Sequence, residues 1–141
     1  MNARTASAPR TAAAAAVAAA ALIGGVVAAG ATPASAKGVE ARSSGHCGAT
    51  STTWKLKAKA DGSRIETELE VDSNRAGQLW TVSLSDNRVR VYTGTRLTTA
   101  PSGSFSLERL LANRAGRDVI TADARNAVTG QTCHGTVTFP G

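Results

Sequence analysis

Two histidines, His46 and His134, each stand beside a cysteine, as His46-Cys47 and Cys133-His134. Together they supply the ligand types of a Cys2His2 zinc site. The spacing opposes that chemistry, because neighbours on a strand point to opposite faces and one metal cannot take both members of a pair. A weaker arrangement stays open, in which His46 and His134 lie side by side on an outer face and bind a soft divalent ion. Nucleophilic catalysis lacks its parts: there is no Gly-x-Ser-x-Gly elbow, and neither histidine has an obvious carboxylate neighbour. Glu66, Glu68 and Glu70 share the wet face of one strand, where nothing would raise a pKa for acid catalysis. Asp72 and Asn74 hold oxygen atoms suited to calcium, yet turn formation accounts for them better. The expectation is therefore no catalytic residue, no metal and no cofactor.

What positions these residues is a set of strands, most legible from Thr52 to Asp72. Trp54, Leu56, Ala58 and Ala60 alternate with Lys55, Lys57 and Lys59, and Ile65, Thr67, Leu69 and Val71 alternate with Glu66, Glu68 and Glu70. A period of two means strands with one dry and one wet face. With Gly62-Ser63 as a two-residue loop, Asp61 faces Arg64, Lys59 faces Glu66, Lys57 faces Glu68 and Lys55 faces Glu70, so every outward pair is opposite in sign. This ladder reads as solubility and register rather than as a docking face.

Further along, Trp80, Val82 and Leu84 share a face with Gln78, and an Asp86-Asn87 loop would set Val82 opposite Val91 and Leu84 opposite Val89. That register puts Tyr92 on the wet face with Arg88 and Arg90, an exposed aromatic between arginines. Gly94 to Gly103 reads as a long irregular loop, and Leu110-Leu111 breaks the alternation of Phe105 and Leu107, which predicts a bulge or strand end near Arg109. The tetrapeptide Asn-Arg-Ala-Gly occurs at Asn74 to Gly77 and again at Asn113 to Gly116, and reads as one type I turn used twice. The closing hairpin turns at Ala127 to Gly130, so that Ala124 opposes Cys133, Ala122 opposes Gly135 and Ile120 opposes Val137. Small residues then gather near the cysteine and leave room for a tryptophan ring.

Arg4 and Arg10 precede an uncharged Ala-rich run from Thr11 to Ala31, followed by Ala34-Ser35-Ala36. This reads as a secretory signal peptide over 1-36, removed after Ala36 to leave an extracellular protein with no membrane span. Lys37 to His46 has no periodicity and reads as a flexible leader, and 47-141 as one domain. Removing Arg4 and Arg10 leaves 14 basic against 10 acidic residues, a net charge near +4 that favours an anionic envelope polymer only modestly. No basic run is interleaved with stacking aromatics, which argues against dedicated nucleic-acid binding. Cys47 and Cys133, an even count in an oxidising compartment, imply one disulfide; it would close a loop of about 87 residues, worth about 4 to 5 kcal/mol in the chain-entropy account.

Seven strands with regular turn signals and no helix point to an all-β immunoglobulin-like antiparallel sandwich, with strands A, B, C, C′, E, F and G in chain order. The combination of STTWKLKAKADG, RIETELEVDSNRAGQLW, TGTR, APSGSF, LANRAG and ARNAVTGQTCHG, with a Cys near the mature N-terminus, resembles a group of small secreted actinobacterial proteins of unassigned function, over roughly Cys47 to Phe139. That resemblance implies the sandwich and lends no activity. The functional expectation is a secreted, non-enzymatic binding module whose partner is a protein or an anionic envelope polymer. Its contacts are expected at Arg75, Val128, Thr129 and His134 on one end and at Arg88, Arg90 and Tyr92 as a second patch. The competing expectation is an inhibitor of an extracellular hydrolase, with Gly94 to Gly103 as its reactive segment.

Overall fold

A computed structural model describes residues 38–141; the signal peptide read over 1-36 lies outside the described residues. Eight strands follow in order: β1 (Glu40–His46), β2 (Thr53–Asp61), β3 (Arg64–Asp72), β4 (Leu79–Asp86), β5 (Val89–Leu97), β6 (Ser104–Ala112), β7 (Asp118–Asn126) and β8 (Thr132–Phe139). They form two four-stranded antiparallel sheets, β1-β2-β3-β6 and β5-β4-β7-β8. With β2 to β8 taken as A, B, C, C′, E, F and G, the orders A-B-E and C′-C-F-G are those of an immunoglobulin-like sandwich. Among the described residues no helix is long and apolar enough to cross a membrane.

The eighth strand is β1, which corrects the reading of 37-46 as a flexible leader. Glu40 to His46 pairs along its whole length with β2, from Glu40 opposite Lys59 to His46 opposite Thr53. Its composition hides it: Ala41, Ser43 and Gly45, the inward set, carry too little apolar surface to register as a dry face. Gly45 has no side chain because the Trp54 ring lies there; a Cβ would come within about 3.0 Å of it. Gly135 on β8 is equally constrained, since a Cβ at that position would fall inside 3.0 Å of the same ring. Trp54 thus spans the gap between the sheets above two glycines, beside the bridge Cys47–Cys133, which joins the turn after β1 to the start of β8.

The first hairpin has the register that its charges demand, with Asp61 opposite Arg64, Lys59 opposite Glu66, Lys57 opposite Glu68 and Lys55 opposite Glu70. The second hairpin differs by one residue. Its loop is Asn87-Arg88, both with positive φ (49° and 70°), and a bulge between Leu84 and Ser85 sets Leu84 opposite Tyr92 and Val82 opposite Gly94. Two consecutive left-handed residues are what a type I′ turn requires, and Asn supplies the first at little cost. The bulge then reverses the facing of the rest of β5, so Tyr92 turns toward the core instead of standing on the wet face.

Two other expectations change. The strand β5 continues through Gly94 to Leu97, so the irregular loop shrinks to Thr98–Gly103. No bulge interrupts β6: Leu107, Arg109 and Leu111 face Leu69, Thr67 and Ile65 in unbroken register, and Leu110 simply points outward, 45% exposed. The two Asn-Arg-Ala-Gly segments share a left-handed glycine, Gly77 and Gly116, but only Asn74 has a positive φ. They are related turns rather than one turn used twice.

Between the sheets, Leu56, Ile65, Leu69, Val71, Phe105 and Leu107 meet Trp80, Val82, Leu84, Ile120, Val137 and Phe139, all buried. Each fully buried side chain of this size contributes about 1.5 to 3 kcal/mol. Trp80 packs at a tilt against Phe105, ring centroids 6.3 Å apart.

Candidate functional site

The outer faces of the two sheets differ in chemistry. On β1-β2-β3-β6 several charges are paired: Lys55 lies 3.6 Å from Glu70, Lys57 bonds Glu68, and Arg42 bonds Glu40. Contact with Glu68 raises the pKa of Lys57, and contact with Arg42 lowers that of Glu40. A ladder closed on itself offers little field to a partner.

The outer face of β5-β4-β7-β8 is a carpet of hydroxyls. Registers place Thr95, Thr81, Arg125 and Thr132 in one row across the sheet, Thr93, Ser83, Asp123 and His134 in the next, and Arg90, Ser85, Thr121 and Thr136 in the third. The bulge is what brings Arg90 here, because strict alternation would have aimed it the way Tyr92 points. The middle of this face is a shallow depression of about 390 Å³, lined by Arg90, Arg125, Asp123, His134, Ser83 and Thr93, among others. His134 Nδ1 lies 2.7 Å from Asp123 Oδ1. An ionised carboxylate only accepts, so Nδ1–H donates and Nε2 is left for solvent or ligand.

Ser83, Asp123 and His134 include the residue types of a hydrolytic triad and follow one another in the familiar chain order Ser, Asp, His. Their spatial order is wrong for it. Asp123 on β7 stands between Ser83 on β4 and His134 on β8, so serine and histidine are two strands apart, roughly 9 to 10 Å. A general base needs to reach the hydroxyl at about 3 Å.

Of the residues expected at one end, Val128 and Thr129 lie together there, while Arg75, in the loop between β3 and β4 at the same end, is tied through its carbonyl to Thr98 instead. Gly77, Gln78 and Leu79 form a small hollow with Val128 and Thr129, and Val128 is 92% exposed at its tip. Asn126 Oδ1 accepts from the backbone N–H groups of Val128 and Thr129, which fixes that tip. His134 belongs instead to the middle of the sheet face. The patch Arg88, Arg90 and Tyr92 does not assemble: Arg88 caps the opposite end in its turn, Arg90 joins the sheet face, and Tyr92 faces inward. His134 Nδ1 is engaged by Asp123, and among the described residues no group of three or more His, Cys, Asp or Glu is placed to hold a metal.

Asp123 and Arg125 escaped the sequence reading. The signal was present, since a register that puts Ala124 opposite Cys133 necessarily puts Asp123 opposite His134. The shortened loop Thr98–Gly103 is tied down on the segment Ser73 to Gln78. Thr98 Oγ1 donates to Arg75 O at 2.6 Å and accepts from Gln78 N at 2.9 Å, and Ser73 donates to Gly103 O through both N and Oγ.

Comparison with known proteins gives no relative: no family model matches the chain, and neither a curated protein nor a solved structure matches it.

Proposed function

We propose that this chain is an extracellular, non-enzymatic binding module that presents the outer face of β5-β4-β7-β8 to its partner. The observation that carries the reading is the contrast between the two faces. On one sheet Lys55 and Lys57 are engaged by Glu70 and Glu68 across the strands, and the other leaves Arg90 and Arg125 beside a hydroxyl-lined depression with Asp123 already engaged by His134. The separation of Ser83 from His134 supports a binding rather than a hydrolytic role. Secretion, and so exposure to envelope polymers, rests on the signal-like segment ending at Ala34-Ser35-Ala36 and on the disulfide, which persists in oxidising compartments.

Recovery of partners from envelope fractions tests this directly. Arg125→Glu is expected to lose material that wild type retains, while Arg75→Glu, in the loop between β3 and β4 and off the sheet face, is expected to retain it. Equal recovery by all three proteins removes the sheet face from consideration. The inhibitor reading keeps one supporting observation, the rigid anchoring of Thr98–Gly103 on Ser73 and Arg75. Incubation with a panel of extracellular proteases and amylases separates the two: a binding module leaves every rate unchanged.

A further inference from the structure

Resting on the binding reading above, we propose that the ligand is an anionic polyhydroxylated polymer, a chain carrying phosphodiester or uronate groups at intervals, laid diagonally across β5-β4-β7-β8 from Arg90 to Arg125. Both guanidinium groups are exposed, and among the described residues neither forms an ion pair. An unpaired guanidinium is a fork of donors matched to the oxygens of phosphate or carboxylate.

Spacing argues for a polymer rather than a single small anion. Arg90 lies on β5 in the third row and Arg125 on β7 in the first, so two strand spacings and four residues separate them, roughly 16 Å between Cα atoms. Ser83, on the strand between and in the row between, sits at the midpoint of that diagonal. Thr93 and Thr81 flank it with further hydroxyls. A ligand with repeated oxyanions separated by hydroxyl-bearing links meets a cation at each end and donors and acceptors between. His134 Nε2 adds one more polar contact beside Asp123.

The same face argues against the alternatives. Neutral sugars and nucleobases are held by stacking on exposed aromatic rings. This face has none: Trp54 and Trp80 are core, and Tyr92 points inward. Charge must therefore carry the affinity, and the partner must bring the opposite sign.

The test is titration calorimetry of the purified, disulfide-closed protein with poly(glycerol phosphate), polygalacturonate and neutral dextran. At least one of the two anionic polymers is expected to bind, weakening as salt is raised, and dextran is expected not to; which anion binds names the source. Arg90→Gln/Arg125→Gln is expected to weaken binding by about tenfold or more, charge-assisted contacts being the strong ones. Lys55→Gln/Lys59→Gln, which removes the same charge from the other sheet, is expected to change it by less than about twofold. Equal loss in the two double variants means attraction by net charge alone and overturns the proposal. Dextran binding as tightly as the anions also overturns it. Ser83→Trp, which fills the centre of the face, separates the levels of inference. If it abolishes recovery from envelope fractions while no anionic polymer binds wild type, the anion proposal falls and the sheet face stands as the contact surface; if it leaves recovery intact, both fall.

Discussion

Arg109 and Tyr92, on different sheets, meet with the guanidinium carbon 4.3 Å from the ring centroid, and Arg96 approaches the same ring at 5.6 Å. The contact joins β6 to β5 and so closes the side of the sandwich that lies away from the Cys47–Cys133 bridge. Arg109 occupies an inward position in its strand, where a charge would be costly, but the ring at the open edge gives it a face to lie on while its head stays wet. Replacing Arg109 by Ala is expected to destabilise the domain by about 1 kcal/mol, and replacing Arg109 by Lys by less. Urea unfolding midpoints check this, and a double cycle with Tyr92→Leu is expected to return a coupling of similar size.

A buried acid pair predicts a pH response. Asp86 is 1% exposed and Asp118 0%. Burial first, and then the neighbouring Asp118, raise the pKa of Asp86, while Arg114 opposes the shift from 3.9 Å. Asp118 accepts from Asn87 Nδ2 and from Arg114 N. Asp86 Oδ1 has no such donor. Because the folded-state pKa lies above the unfolded one, this group's contribution is fully present below the unfolded value and is lost as pH rises through the folded value. Asp86→Asn supplies a permanent donor toward Asp118. It is expected to raise stability at neutral pH by on the order of 1 kcal/mol and to flatten the decline from acid to neutral pH relative to wild type. Asp118→Asn is expected to destabilise at every pH, since an amide cannot accept at both oxygen positions. Thermal melts across pH 4 to 8 measure both.

The place of Trp54 makes Gly135 unsubstitutable. Gly135→Val is expected to cost about 2 to 3 kcal/mol, because the indole, the disulfide and β1 leave the ring no direction in which to retreat. Gly45→Ala is expected to cost less, since its Cβ would touch the ring at about 3.0 Å, a contact that a few tenths of an ångström relieves. Denaturant midpoints rank the two.

Removing the bridge is expected to act unevenly. Cys47→Ser/Cys133→Ser loses up to about 4 to 5 kcal/mol of global stability in the chain-entropy account. Locally it frees the end of β1, an edge strand whose inward residues are only Ala41, Ser43 and Gly45. Amide exchange in Glu40 to His46 is therefore expected to accelerate well beyond that in the central strands β4 and β7. Uniform acceleration would show that β1 does not depend on the bridge.

Legibility in the sequence followed how much free energy each signal carries. Strands with a full apolar face, such as Leu56 to Ala60 or Ile65 to Val71, announce themselves, and opposite charges fix the register of their hairpin. The closing hairpin was equally readable, down to Ala124 opposite Cys133. What stayed hidden depends on neighbours far along the chain. The strand β1 forms because β2 offers an unpaired edge and Trp54 needs a cover, not because Glu40 to His46 has a dry face of its own. The bulge beside Leu84 is a one-residue choice between two turns, Asp86-Asn87 and Asn87-Arg88, that both use good turn residues. That choice turned Tyr92 inward while Arg90 kept the outer face, and so broke up the expected patch.

The bulge has a second consequence. Strand β5 ends its sheet and would otherwise hold out a straight row of backbone donors and acceptors to any passing chain. The extra residue at Val91 spoils the repeat, and Arg88 and Arg90 bring like charge to the start of the strand. Two copies brought side by side along this strand meet mismatched spacing and mutual repulsion, which works against pairing of β5 with its own copy.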